Sequence, residues 1–306
     1  MSYEAAVLSW VDHLRSGGST PWADFEPSGD HAGDVPGAAQ LELVRLLAER
    51  WQGPGFERLA DRVLRRDAPG RGLPRLHVVH PEAPRGVAVD PADVPVEELL
   101  RVGSGVLADL ALAAPAVRTR QPRERALPLQ APSFDELMTR AWARRVQLGS
   151  GARWRTFYGW WAGRDQLPPS VDVAGLAQRL GKGRRRVEVY VGAAAAAEAV
   201  PLAVESVDLL RRVNPLLGVH RADPASARAG AIRLLTGGTL RTLPTPMPHR
   251  PWARRRAERL AEDLRAGGYA VHGDLDEFVA GVQGPPMYRE DVLSRLVEVL
   301  VKESST

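Results

Sequence analysis

The chain has 306 residues, of which 44% are hydrophobic and 25% are charged, the proportions of an ordinary globular protein. It contains no cysteine, which excludes disulfides, thiolate metal sites and a cysteine nucleophile. No segment approaches the run of about eighteen apolar residues that a membrane helix needs, and the N-terminal residues lack the pattern of a secretion signal. These features predict a cytoplasmic protein with a substantial core and no membrane contact.

The basic side chains are mostly arginines and concentrate in the second half of the chain. Lys182 and Lys302 are lysines, and the other 39 basic residues are arginines. Residues 153–259 carry 19 basic and 8 acidic side chains, a net charge of +11, whereas residues 1–150 carry 18 and 20, a net charge of −2. Such a region attracts an anion, whether a nucleotide, a nucleic acid or an acidic protein. The alternative is a solvated surface balanced by acidic neighbours.

The first half has the periodicity of helices. Apolar residues recur at helical spacing within 7–14, 43–47, 56–63 and 99–110, and a short strand is predicted at residues 76–79. The run from Ala114 to Pro132 contains four prolines and four arginines, which predicts an extended linker. We therefore predict a helical N-terminal region over residues 1–115, a Pro/Arg-rich linker over 116–132, and an α/β domain over 133–306.

The second half alternates helices with short strands. Ser133 and Glu136 match a capping box that begins a helix. A helix over 173–181 is predicted to lead into a strand over 187–191. The same order of elements recurs between residues 252 and 279, and residues 292–300 predict a terminal amphipathic helix. These patterns predict a mostly helical α/β fold.

The stretch from Trp252 to Val279 is the most complete of these units. Its helix stops at Gly267 and Gly268, a short strand follows, and Asp274 is predicted to cap the next helix. His272 lies at the end of that strand, where α/β sheets bind ligands, and is therefore a candidate acid or base. The alternative is a surface histidine with its hydrogen bonds satisfied.

A dense aromatic cluster, RWRTFYGWWAGR, lies at Arg153–Arg164. On a helix, one face carries the predicted core residues Trp154, Phe157, Tyr158 and Trp161. Trp160 lies about 100° away from that face, beside Arg153 and Arg164. Its ring and the two guanidinium groups suit a planar anionic ligand or a partner side chain. Packing at a domain interface is the alternative.

Two further groups of basic residues are candidate anion sites. Gly181, Lys182 and Gly183 do not form a phosphate loop, because no Ser or Thr follows the lysine and the segment leads from helix to strand. The adjacent Arg184 and Arg185 still offer contacts to an anion, or form a solvated turn. Arg254 lies in a basic helix start, which opposes the helix dipole and is compatible with anion binding or with salt bridges.

Metal and serine chemistry find no support in the sequence. His77 and His80 would point to opposite faces of a strand and could not share one ion. Ser104 and Ser150 each lie between glycines but lack the wider nucleophile-elbow pattern and a placed His–Asp pair. No metal site and no catalytic residue are therefore predicted.

Four motifs in the second half resemble the later part of bacterial sulfotransferase-like proteins, an α/β class related to nucleoside-triphosphate hydrolases. They are AWARRV at Ala141–Val146, LPPSVDVAGLAQRL at Leu167–Leu180, LLRRVNPLLG at Leu209–Gly218, and LRAGGYAVHGDLDE at Leu264–Glu277. The resemblance covers residues 134–279, and the first half resembles that of uncharacterised actinobacterial proteins with the same second half. It implies an incomplete P-loop or sulfotransferase-like α/β domain.

Active members of the sulfotransferase family hold the donor PAPS on a Gly-rich strand-loop-helix and bind its 3′-phosphate through an Arg and a Ser. This chain has no GxPKTGT-like segment, and no lysine precedes Lys182. The resemblance therefore implies a non-catalytic protein that binds a partner or an anionic ligand through the basic region Arg153–Arg259, without a cofactor. The alternatives are a divergent PAPS-dependent sulfotransferase, in which arginines replace the missing loop, and a nucleic-acid-binding protein.

Overall fold

The structure is a computed structural model that describes residues 3–28, 36–66, 91–113, 129–181, 187–192, 195, 202–220, 224–281 and 285–304. Several predictions fall outside these residues. They concern the strand at 76–79 with His77 and His80, most of the 116–132 linker, and the turn with Lys182, Arg184 and Arg185.

The described residues are mostly helical and include a small parallel sheet. The helices are α1 (Tyr3–Arg15), α2 (Ala38–Arg50), α3 (Phe56–Leu64), α4 (Val96–Ala113), α5 (Phe134–Gln147), α6 (Trp154–Gly163), α7 (Val173–Gly181), α8 (Val204–His220), α9 (Pro224–Leu235), α10 (Arg250–Ala266), α11 (Leu275–Val279) and α12 (Arg289–Ser304). The strands are β1 (Leu129–Ala131), β2 (Glu188–Val191) and β3 (Ala270–His272). The prediction of a mostly helical α/β chain is confirmed.

The chain divides into two compact units. Unit 1 contains residues 1–116, 215–235 and 288–306, and unit 2 contains 117–214 and 236–287. This division differs from the predicted ranges 1–115 and 133–306, because α9 and α12 both pack against α4. Their apolar faces are therefore buried among the N-terminal helices.

Unit 1 is a helical core in which α4 is central. The apolar faces of α2, α4 and α12 bury Leu43, Leu100, Leu107 and Leu296, each 0% exposed. A Cβ added at Gly103 would collide with the Leu296 side chain, so this glycine allows α4 and α12 to approach closely. Beside it, Arg66 Nη1 forms two hydrogen bonds to Asp109, at 2.7 and 2.6 Å, which tie the residues after α3 to α4.

Unit 2 is built on the three-stranded sheet, whose strand order is β1-β2-β3 and whose pairs are all parallel. Gln130 pairs with Tyr190, and Tyr190 pairs with His272, so these residues form one row across the sheet. Val189 and Val191 point to the opposite face and are fully buried. All three carboxyl ends therefore lie at the same edge of the sheet.

The local predictions around this edge are confirmed. Ser133 caps α5, and its Oγ accepts a hydrogen bond from the Glu136 N–H at 3.1 Å. Asp274 caps α11, and its Oδ1 accepts from the Asp276 N–H at 2.8 Å. Helix α10 ends just before the two glycines, where Gly268 adopts a φ of +66°. These turns set α5 and α11 beyond the carboxyl ends of β1 and β3.

Candidate functional site

A cleft of about 530 Å³ lies in unit 2 between the start of α5, one face of α10 and the end of α11. Its volume is within the range typical of small-molecule sites. The lining residues are Phe134, Asp135, Pro244, Thr245, Arg250, Ala253, Arg254, Ala257, Val279 and Gly281. The α10 residues are spaced three and four apart, so they form one helical face.

The cleft lies beyond the carboxyl edge of the sheet. Helix α5 begins at Phe134, three residues after β1 ends at Ala131, and α11 follows β3 by the same spacing. Ligands of α/β folds bind at this edge, because the turns from strand to helix converge there. The cleft is therefore the candidate functional site.

A buried carboxylate forms part of the cleft wall. Asp135 is 4% exposed, and its Oδ1 accepts a short hydrogen bond from the Thr245 hydroxyl. Thr245 Oγ1 is in turn 2.9 Å from the hydroxyl of Tyr158, which is fully buried. Because the Thr245 proton is committed to the carboxylate, the Tyr158 hydroxyl donates to Thr245. Three side chains thus form a hydrogen-bonded chain that ends at the cleft.

Burial raises the pKa of Tyr158, and the negative charge of Asp135 raises it further, against the opposing effect of the hydrogen bond to Thr245. The phenol therefore stays protonated at neutral pH and remains a donor. The hydroxyl of Tyr158 therefore donates to Thr245, the hydroxyl of Thr245 donates to Asp135, and the carboxylate is the final acceptor.

The wall that carries Thr245 is fixed by further hydrogen bonds. Thr139 Oγ1 donates to the Asp135 carbonyl at 2.8 Å and accepts from the Leu243 N–H at 3.0 Å. The Trp154 indole donates to the Pro244 carbonyl at 3.2 Å. The segment 243–245 is thus held on α5 and α6, and the carboxylate geometry does not depend on a bound ligand.

Two arginines on the α10 face line the opposite side of the cleft. Arg250 and Arg254 are one helical turn apart, with Cβ atoms separated by about 6 Å. Arg254 Nε lies 2.9 Å from Glu258 Oε1, an exposed contact of small energetic value. Arg250 is exposed and forms no ion pair with another described residue. Both guanidinium groups remain accessible to an anion.

A second cleft, of about 460 Å³, adjoins the first along α10. Its lining has mixed charge, because Arg254, Glu258, Glu262 and Arg265 share one face of α10 and Asp276 belongs to α11. Arg265 Nη2 is 3.3 Å from Asp276 Oδ1. With two basic and three acidic side chains, this cleft has an excess of negative charge, so an anion is attracted more strongly to the first cleft.

The aromatic cluster around Trp160 is not part of the cleft lining. The Arg164 guanidinium lies 4.0 Å from the centre of the Trp160 ring, which is 45% exposed. Arg153 precedes the first turn of α6, so about 10 Å of helix rise separate it from Trp160. The structure therefore places Trp160 with Arg164, while Arg153 lies at the other end of the helix.

The predicted core face of α6 is confirmed for three of its four residues. Trp154, Phe157 and Tyr158 are buried. Trp161 is only half-buried, because it lies near the end of the helix, where Trp160 packs edge-on against it at 4.4 Å.

Contacts at the end of α6 show that Trp160 and Arg254 belong to different surfaces. Asp165, just after α6, accepts from the Trp252 indole at 2.9 Å and pairs with Arg256 at 2.8 Å. Arg256 and Arg254 are two residues apart, so they are separated by about 200° around α10. The candidate groups around Trp160 and Arg254, which were predicted separately, therefore do not form one site.

His272 is the last residue of β3, as predicted, but it does not line the cleft. Its ring stacks on Tyr190 with centroids 4.6 Å apart, and its Nε2 is 3.9 Å from Glu188 Oε2. The Tyr190 hydroxyl donates to the same carboxylate at 3.0 Å, which raises the pKa of Tyr190. His272 thus belongs to a cluster on the sheet surface, and its acid–base role stays a prediction.

Arg250, Asp135 and Thr245 were not predicted as site residues, and Tyr158 was assigned only to the core. Asp135 and Thr245 are 110 residues apart, so no spacing in the sequence indicates their contact. One local feature was visible in the sequence, the position of Asp135 in the first turn of a capped helix. This feature indicates a ligand site only where a strand directly precedes the helix, and the short strand β1 was not predicted.

No protein-family model, curated protein or solved structure matches this chain. Within the described ranges, no three His, Asp or Glu side chains are grouped so that they could hold a metal ion. Across the same residues, no helix combines the length and the apolar character that a membrane crossing requires.

Proposed function

We propose that the chain is a sulfotransferase-like protein without sulfuryl-transfer activity, and that it binds an anionic ligand or an acidic segment of a partner in the cleft beside α10. The observation that carries this proposal is the placement of Arg250 and Arg254 on one face of a cleft at the carboxyl edge of the sheet.

The helix that carries these arginines adds to the attraction. Helix α10 has no acidic residue in its first turn and no side chain that caps its start. Its N-terminal partial positive charge therefore adds to the charge of the two guanidinium groups. Cations at this end of a helix cost stability, and a bound anion would offset that cost.

A divergent PAPS-dependent sulfotransferase is the second candidate, and Asp135 is the observation that favours it. A buried carboxylate in a cleft can accept the proton of an acceptor hydroxyl during group transfer. The exposed Trp160 with Arg164 favours the third candidate, nucleic-acid binding, because such a pair stacks on a base.

Isothermal titration calorimetry with adenosine 3′,5′-bisphosphate tests the anion site. We expect binding that weakens by about ten- to a hundredfold in Arg254→Ala, because a charged hydrogen bond contributes roughly 1.5–3 kcal/mol. Arg255→Ala is the matched control, since Arg255 is exposed on the same helix but does not line the cleft. No binding, or an equal loss in both variants, would contradict the proposal.

Two further assays separate the candidates. Release of the bisphosphate product from PAPS in the presence of a phenol acceptor would establish the enzyme. A gel shift of single-stranded DNA that disappears in Trp160→Ala and with added salt would establish nucleic-acid binding. The proposed non-catalytic role predicts neither result.

A further inference from the structure

The two clefts beside α10 form one continuous groove. Arg254, Val279 and Gly281 line both of them. On α10, the lining of the first cleft begins at Arg250 and that of the second reaches Arg265. The helix rises about 22 Å between these two residues. An elongated ligand is therefore needed to fill the groove.

Two rows of residues, each with members spaced four apart, form the α10 side of the groove. One row consists of alanines that are at most 6% exposed: Ala253, Ala257 and Ala261. The neighbouring row consists of charged residues: Arg250, Arg254, Glu258 and Glu262. Rows with this spacing form ridges on a helix surface. The small alanine side chains leave a channel beside the charged ridge.

Some charged residues of the groove already have a partner of opposite sign. Arg254 Nε lies 2.9 Å from Glu258 Oε1, and Arg265 Nη2 lies 3.3 Å from Asp276 Oδ1. Both contacts are exposed, so each contributes little energy and can rearrange when a ligand binds. Within each pair the charges balance.

Two charges of opposite sign remain, one toward each end of the groove. Arg250 and Glu262 are exposed, and neither forms an ion pair with another described residue. About 18 Å of helix rise separates them. The groove is therefore positive where it begins and negative farther along, and a ligand with the opposite order of charges would complement it.

We propose that the groove binds an extended peptide segment of a partner protein. Acidic side chains of the segment contact Arg250 and Arg254, and a basic side chain contacts Glu262. Arg254 and Glu262 are separated by about 12 Å of helix rise, a distance that an extended chain spans in about four residues. This inference rests on the proposed anion site and specifies the chemistry of the segment that occupies it.

Isothermal titration calorimetry at low ionic strength tests the basic contact with two peptides whose ends are blocked. DDAAAK carries the proposed charges, and DDAAAQ differs from it only by lacking the positive charge. We expect DDAAAK to bind about three- to fivefold more tightly, the effect of one additional ion pair. The reversed peptides KAAADD and QAAADD test the opposite chain direction. No gain from the lysine in either direction would overturn the inference.

Glu262→Gln locates the contact, and Asp263→Asn is its matched control. Both residues are exposed on α10, but Asp263 lines neither cleft. Neither residue lines the first cleft, so phosphate affinity should stay within about twofold in both variants. We expect the gain from the peptide lysine to disappear in Glu262→Gln and to persist in Asp263→Asn. A gain that persists in both variants, or disappears in both, would overturn the inference.

Glu262→Lys gives a test by reversal of charge. In this variant the peptide DDAAAE should bind more tightly than DDAAAK, and a retained preference for DDAAAK would overturn the inference. Phosphate provides the separate test of the anion site. Phosphate binding that needs Arg254, without a gain from the peptide lysine, removes only the present inference. If neither phosphate nor any of the peptides binds, the proposed anion site fails as well.

Discussion

The hydrogen-bonded chain through Thr245 makes a quantitative prediction about stability. Thr245→Val preserves the shape of the side chain but removes the hydroxyl that donates to Asp135 and accepts from Tyr158. Tyr158 is fully buried, so its hydroxyl loses an acceptor at a cost of about 1–3 kcal/mol. The carboxylate loses a charge-assisted hydrogen bond, which contributes roughly 1.5–3 kcal/mol. We expect unit 2 to lose about 3–5 kcal/mol of unfolding free energy.

Urea unfolding followed by tryptophan fluorescence measures this loss, because Trp142 and Trp154 are in the same unit. Thr245→Ser is the control, since it keeps the hydroxyl, and a loss of no more than about 1 kcal/mol is expected from its missing methyl group. Tyr158→Phe in the Thr245→Val background should cost less than in the unmodified protein, because its hydrogen bond is already gone. A loss below about 1 kcal/mol in Thr245→Val, or equal losses in the valine and serine variants, would refute the reasoning.

Three further predictions address other parts of the molecule. Gly103→Val should lower the unfolding free energy of unit 1 by about 1–3 kcal/mol in urea unfolding, because the valine side chain collides with Leu296. Adding Leu296→Ala to Gly103→Val should restore part of this loss, because it makes room for the valine. Asp165 accepts hydrogen bonds from Arg256 and from an indole, and these lower its pKa below the ordinary value of 3.8. The stability that Asp165 contributes is therefore present above that pH and is lost as the pH falls through the lower folded value. Asp165→Asn should reduce the loss of unfolding free energy in acid, and an unchanged dependence of stability on acid pH would contradict this. Trp160→Ala should leave bisphosphate affinity in calorimetry unchanged and cost less than about 1 kcal/mol in urea unfolding, since its cation–π contact is exposed.

The segment from α10 to α11 was predictable because its structure depends on local interactions. The glycines that end α10 and the Asp274 cap each act within a few residues, so the nearby sequence is enough to predict them. The same holds for the Ser133 cap of α5. Elements of this kind can be predicted without knowing which distant residues they contact.

Other parts of the fold depend on partners far along the chain. Strand β1 has only three residues and lies at the end of the predicted 116–132 linker, where pairing with β2 stabilises it. The apolar stripe of α12 predicted burial correctly, but a stripe does not specify its partner, which is α4 in unit 1. The predicted α/β domain was therefore extended through residues that belong with the N-terminal helices.

The candidate site shows the same limit. Arg254 was identified from its position at a basic helix start, which is a local feature. Asp135 and Thr245 form one wall of the cleft only because the chain brings together residues separated by 110 positions. Sequence patterns indicated one of the two cations of this site, Arg254, and the structure was needed to find Arg250 and the carboxylate opposite them.

The most direct test of the account compares two double variants of α10 that remove the same charge. Arg250→Ala with Arg254→Ala removes the cleft arginines, and Arg255→Ala with Arg259→Ala removes two exposed arginines that do not line the cleft. Phosphate affinity is measured for both by isothermal titration calorimetry. The account predicts that binding falls by about a hundredfold or is lost in the first variant and changes by less than about threefold in the second. Equal losses in the two variants, or retained affinity in the first, would contradict an anion site in this cleft.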